Sequence, residues 1–243
     1  MSTCVTRAFL ATLCLFFLAI ALNAQNSSAT PPDETLYTSY FFSGSYQNVS
    51  WIVCGSTQQS EGCYGFGQIG PFGNIGALME SNATVSGNTV TRYIYIVDSN
   101  PSGGGVELFV YKKTDVVSAS TDITTVTFDK SVSLGLSGGS SVATYMAANE
   151  RYLFVGTNVW PQAVQVQKSN LKTSTVEGNA PVSAITSDAY GYVTITFGDF
   201  LSGGNGFATI GPNGQNEGGG GGAWFLLNTQ LGVSTAALPA SDK

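Results

Sequence analysis

The sequence predicts an all-β protein, and three observations carry that expectation. Val, Ile, Thr, Tyr and Phe alternate with small polar residues almost throughout, as half-buried strands require. Glycine-rich punctuation recurs at Gly103-Gly105, Gly138-Gly139, Gly203-Gly204 and Gly218-Gly222, and reads as flexible turns. Three times an aromatic residue opens an alternating aliphatic strand: Tyr93-Ile94-Tyr95-Ile96, Tyr152-Leu153-Phe154-Val155 and Tyr192-Val193-Thr194-Ile195. Their first residues lie 59 and 40 positions apart, too far for a simple meander and about the length of one blade of a β-propeller. The expected fold is therefore a small or incomplete β-propeller of about four to five blades, with a β-sandwich as the alternative.

Residues 1–24 read as an export signal, with Arg7 in a short positive region, an apolar stretch from Ala8 to Leu22, and Ala24 at the cleavage site. The apolar stretch is shorter than the ~20 residues of a spanning helix, which favours cleavage over anchoring. Residues 25–34 are Ser, Thr, Pro and Asn with two acids, and read as a flexible leader. Residues 35–243 form one all-β domain, large enough to bury a substantial core. Its first strands are Tyr37 to Phe42, Val49 to Cys54, Ile75 to Glu80, Val90 to Val97 and Val106 to Lys112. Next come Thr124 to Leu134, Val142 to Ala147, Tyr152 to Thr157 and Ala163 to Lys168. Val182 to Thr186, Tyr192 to Phe197, Phe207 to Ile210 and Ala223 to Leu227 complete the series. Alternation places Tyr93, Tyr95 and Val97 on one face of their strand and Ile94 and Ile96 on the other, as packing between two layers demands.

The unit from Tyr152 to Ile195 has a distinctive succession. Tyr152-Leu153-Phe154-Val155 leads to Ala163-Val164-Gln165-Val166-Gln167, then Ser169-Asn170-Leu171-Lys172-Thr173, Gly178, Pro181, and a second Tyr192-Val193. This resembles the YVTN-type β-propeller repeat of bacterial surface and secreted proteins, over about one blade. The resemblance implies a propeller scaffold, in which an N-terminal strand such as Tyr37 to Phe42 closes the ring against the last blade. The unit around Tyr93 departs from it by a longer connection from Asn82 to Val90.

The chain carries a formal net charge of −6 and no histidine. Acidity with few cations argues against nucleic acid and anionic membranes, and the missing histidines exclude Ser-His and Cys-His pairs and His-ligated metals. No cofactor, metal or membrane span after signal cleavage is expected. Beyond the signal only Cys54 and Cys63 remain, and an even pair in an exported chain reads as one disulfide.

That pair lies in Cys54 to Asn74, the least strand-like stretch, where Tyr64, Phe66 and Gln68 sit among glycines. A stapled surface loop of this kind offers aromatics and amides to a sugar, and Asn158 and Trp160 join them as candidate ligand-binding residues. Asp98-Ser99-Asn100-Pro101-Ser102-Gly103 has oxygen donors at alternate positions, but it lacks the closing acid of a calcium loop and reads as a turn. Glu80, Asp98, Asp188 and Asp199 are the acids near strand ends, with Trp160 and Trp224 as further sugar platforms. Asn26, Asn48 and Asn82 match the N-glycosylation pattern. The expected function is a secreted, periplasmic or cell-surface module, non-catalytic, which binds a glycan or a surface protein through its loops. The alternatives are a glycoside hydrolase using two carboxylates, and a self-associating coat or fibre subunit.

Overall fold

The computed structural model describes residues 35–42, 46–57, 60–102, 104–116, 123–198 and 206–220, with side chains from Gln47 onward except residues 52–66. The fold is all-β: four small antiparallel sheets and, among the described residues, no helix. The first sheet joins β1 (Thr35–Phe42), β2 (Tyr46–Thr57) and β3 (Ser60–Phe72) in sequence order. The second contains β4 (Ile75–Glu80), β5 (Thr84–Ser86), β6 (Thr89–Asp98), β7 (Glu107–Val116) and β8 (Ile123–Ser133). Its order is β4-β6-β7-β8, with β5 a short hairpin arm on β6. The third is the meander β9 (Thr144–Ala148), β10 (Tyr152–Thr157), β11 (Gln162–Gln167) and β12 (Thr173–Glu177). The fourth is the meander β13 (Val182–Ser187), β14 (Val193–Phe197), β15 (Gly206–Ile210) and β16 (Asn216–Gly220).

The sheets are stacked in sequence order, and each neighbouring pair shares a core. Val49, Ile69 and Phe72 of the first sheet meet Ile94 and Ile96 of β6. Tyr95 and Val97, on the other face of β6, pack with Leu108 and Val110 against Leu153, Val155, Val164 and Val166 of the third sheet. Phe154 then turns the opposite way, to Val182, Val193, Ile195 and Phe197 of the fourth. Strands β6 and β10 are thus buried on both faces, which explains their nearly continuous apolar runs. The leading strands also approach one another, β9 lying beside both β4 and β13. Gly76 permits this on the β4 side, because a Cβ there would collide with the Thr144 side chain.

Three expectations need correction. The stretch from Cys54 to Asn74 is mainly strand, not surface loop: β3 pairs with β2 along most of its length. Its glycines serve packing, since Gly67 lies under the Trp51 indole, where an added Cβ would come within 2.5 Å of the ring. Of Gly218-Gly222, read as a flexible turn, the described glycines 218–220 belong to edge strand β16 (Asn216–Gly220). Finally, β1 pairs with β2 and, among the described residues, with no strand of the fourth sheet. Gly203-Gly204, Asp199, Trp224 and the strand Ala223 to Leu227 lie outside the described residues.

At the ends of β3 and β6 a polar knot ties the first two sheets together. The Asp98 carboxylate, 2% exposed, accepts hydrogen bonds from the backbone N–H groups of Gly73 (2.7 Å), Asn74 (2.8 Å) and Asn100 (2.9 Å). Asn74 donates to Ser99 Oγ at 2.6 Å, and Gln47 accepts from Ile75 N–H at 2.7 Å. The segment from Asp98 to Ser102 is therefore a turn braced by its own acid, not a cation loop. Asp98→Ala would leave three donors without their buried acceptor, and is expected to cost about 3 kcal/mol or more in urea unfolding. A loss below about 1 kcal/mol would show that the knot is replaceable by water.

Candidate functional site

The three repeated tyrosines occupy comparable places: Tyr152 begins β10, Tyr192 immediately precedes β14, and Tyr93 lies within β6 just before the part that pairs with β4, and each is clamped by the polar residue that follows the first strand of its sheet. Ser81 Oγ accepts from Tyr93 N–H at 2.9 Å, Asn149 Oδ1 from Tyr152 N–H at 2.8 Å, and Asp188 Oδ1 from Tyr192 N–H at 2.9 Å. The backbone returns the bond each time, with the N–H groups of Ser81, Asn149 and Asp188 donating to the carbonyls of Tyr93, Tyr152 and Tyr192. The short side chains satisfy strand-end donors that water would otherwise have to reach. In the second sheet the β5 hairpin is inserted between clamp and tyrosine, which accounts for the longer connection there.

These clamped turns lie at one end of three adjacent sheets and surround a groove of about 1220 Å³. Its lining includes Tyr93, Tyr95, Tyr152 and Tyr190 together with Asn82, Asn149 and Gln167. Tyr190 is 82% exposed at the rim. Cross-sheet bonds fix the walls: Asn149 Nδ2 donates to Gly191 O at 3.0 Å, Arg151 Nη1 to Asn213 Oδ1 at 3.1 Å, and Lys130 Nζ to Ser169 O at 3.4 Å. Lys168 Nζ donates to Asn149 O at 2.6 Å and lies 5.7 Å from the centre of the Tyr95 ring. Burial pushes the Lys168 ammonium below the usual lysine range, and nearby Glu150 pulls it partly back. A groove this large exceeds the size of ordinary small-molecule pockets and suits an extended chain-like ligand.

Three of the ligand residues expected from sequence, Gln68, Asn158 and Trp160, lie away from this groove. Asn158 and Trp160 occupy the β10–β11 turn, at the opposite end of β10 from the groove. Asn158 accepts from Ala143 N–H at 3.1 Å, and the Trp160 indole donates to Gln162 Oε1 at 2.9 Å. Gln68 is exposed on β3. Tyr64 and Phe66 also belong to β3, and their side chains lie outside the described residues. The structure thus places Asn158 and Trp160 on one turn, and of the three expected residues whose side chains are described, Gln68, Asn158 and Trp160, none lines the groove.

The three candidate acids among the described residues are each engaged by other groups. Asp98 is enclosed by its three N–H donors at the far end of β6. Glu80 and Asp188 both line the groove, but Glu80 lies 3.3 Å from the buried Lys113 ammonium, and Asp188 Oδ1 caps Tyr190 and Tyr192. Among the described residues, no three His, Cys, Asp or Glu side chains cluster as metal ligands.

Sequence reasoning missed Lys130 on β8 and Arg151, Lys168 and Tyr190 in turns, all far apart in the chain. The clamp did leave a trace: a polar residue three or four positions before Tyr152 and Tyr192.

Burial, with help from neighbouring Tyr93 and Asp129, raises the Tyr95 phenol from 10.0 to about 12. The folded chain therefore keeps this proton in a window where the unfolded chain has lost it, and stability falls as pH rises from 10.0 toward about 12. Ultraviolet titration should show a late-ionising phenol that disappears in Tyr95→Phe, and the substitution should flatten the alkaline loss of stability. A late component that persists in the variant would assign it to another residue, such as Tyr111, which burial also raises. No family model matches the chain, and no curated protein matches it either.

Proposed function

We propose that the four sheets are blades of a small or incomplete β-propeller, and that the protein is an exported, non-catalytic binding module that holds a glycan in the three-sheet groove. Support for the scaffold comes from the tyrosine clamp, repeated at the same place in three successive sheets. The observation that carries the function is the groove itself. It presents Tyr93, Tyr152, Tyr190 and Gln167 with no side-chain hydrogen bond to another described group, beside amides already fixed in position. Aromatic faces stack on the apolar faces of sugar rings, and fixed amides and cations meet their hydroxyls. Export would also suit the cysteines. Cys54 and Cys63 are direct partners in the β2–β3 register. Antiparallel partners have Cα atoms about 4.5 or 5.5 Å apart, inside the range a disulfide spans.

On a glycan array the full exported chain should give hits that Tyr190→Ala or Tyr152→Ala weakens about tenfold, while Trp160→Ala leaves them unchanged. Hits that are lost with Trp160 and indifferent to both tyrosines would move the site to the opposite end. Peptide mapping without reductant should recover Cys54 and Cys63 as one linked peptide. Two alkylatable thiols in the exported protein would remove the disulfide.

A further inference from the structure

We propose that the groove selects a carboxylate-bearing saccharide, such as a chain containing uronic acid; this rests on the glycan reading above and names its ligand class. The protein is acidic, with only nine Lys and Arg against fifteen Asp and Glu. Three of those cations, Lys130, Arg151 and Lys168, nevertheless line one groove.

How they are held matters more than their number. Lys168 donates to the Asn149 carbonyl, Arg151 to the Asn213 amide oxygen, and Lys130 to the carbonyls of Lys168 and Ser169 at 3.5 and 3.4 Å. All of these acceptors are neutral. The closest carboxylate contact of the three is Lys130 with Asp129 at 3.9 Å, between side chains 35% and 37% exposed, where such a pair contributes little. An ammonium has three donors and a guanidinium five, so each cation keeps donors for a ligand.

The groove's acids are occupied differently. Glu80 is committed to buried Lys113, and one oxygen of Asp188 caps two backbone N–H groups. Glu150 remains as an exposed counter-charge near Lys168. The free donor capacity therefore belongs mainly to cations, flanked by tyrosine faces. A sugar ring bearing a carboxylate answers both features: the ring stacks on Tyr152 or Tyr190, and the carboxylate meets Arg151 with Lys130 or Lys168.

The test compares an oligogalacturonide with its methyl ester, which keeps the shape and loses the charge, by calorimetric titration of the full exported chain. The acid should bind about tenfold more tightly than the ester, and its binding should weaken between about 0.1 M and about 1 M salt. Arg151→Gln should lose about the same factor, and Arg151→Lys should recover part of it. Near-ultraviolet circular dichroism would confirm that each variant is folded. Equal binding of acid and ester, or an Arg151→Gln variant that is folded and unaffected, would overturn the proposal. The groove would still stand as a glycan site if Tyr190→Ala weakened that binding. Failure of both probes would also overturn it, and the glycan reading would fall with it only if the array held no Tyr190-dependent hit.

Discussion

Strands β6 and β10 must serve two cores at once. Ile94 and Ile96 point to the first sheet while Tyr95 and Val97 point to the third; Leu153 and Val155 point to the second sheet while Phe154 points to the fourth. A strand with both faces committed has little room for exposed polar side chains, so polar chemistry is pushed to its ends. There the ladder stops, and its last N–H and C=O groups need partners that the sheet no longer supplies. Each end of this stack solves that problem with short polar side chains, and the two solutions differ in what they leave over.

At one end Asp98, Asn74, Gln47 and Ser99 bond chiefly to one another and to the backbone they bridge. That knot is closed and holds the first sheet against the second. At the other end Ser81, Asn149 and Asp188 satisfy the strand ends with one acceptor each, and the turns they fix project Arg151 and Tyr190 beside Lys130 of β8 and Lys168 of the β11–β12 turn. The contrast between a saturated end and an unsaturated one is what favours the groove in the proposed reading, although the sequence drew attention to the β10–β11 turn at the other end.

What was legible in the sequence follows from this division. Ile75–Glu80 and Tyr152–Thr157 were readable to the residue, the second because a strand packed between two layers needs a β-branched and aromatic run bounded by turn residues. The spacing of the tyrosines, too, reflected a repeated structural position. β3 was hidden because glycine usually signals a turn, and only the Trp51 ring lying over Gly67 shows why a strand carries it. β12 was hidden because its Thr, Ser and Glu are exposed, with Val176 alone buried. The groove was hidden for another reason: Lys130 of the second sheet and Arg151 and Lys168 of the third gain meaning only when the two sheets bring their ends together.

The turn that carries Lys168 shows how firmly such a groove can be held. Leu171 adopts φ of 58°, a left-handed conformation that a branched side chain enters at a cost of about 1–2 kcal/mol. Its side chain is nevertheless 7% exposed and belongs to the core between the second and third sheets, where burying a leucine contributes about 1.5–3 kcal/mol. Core burial thus offsets the backbone strain, and relaxing the turn would mean withdrawing Leu171 from that core. Lys168, three residues earlier, is bonded to Asn149 and seated over Tyr95, so its ammonium is set by packing on both sides of the turn. A cation positioned in this way loses little further freedom when a ligand arrives, which is the condition under which a few fixed donors can discriminate among similar sugars.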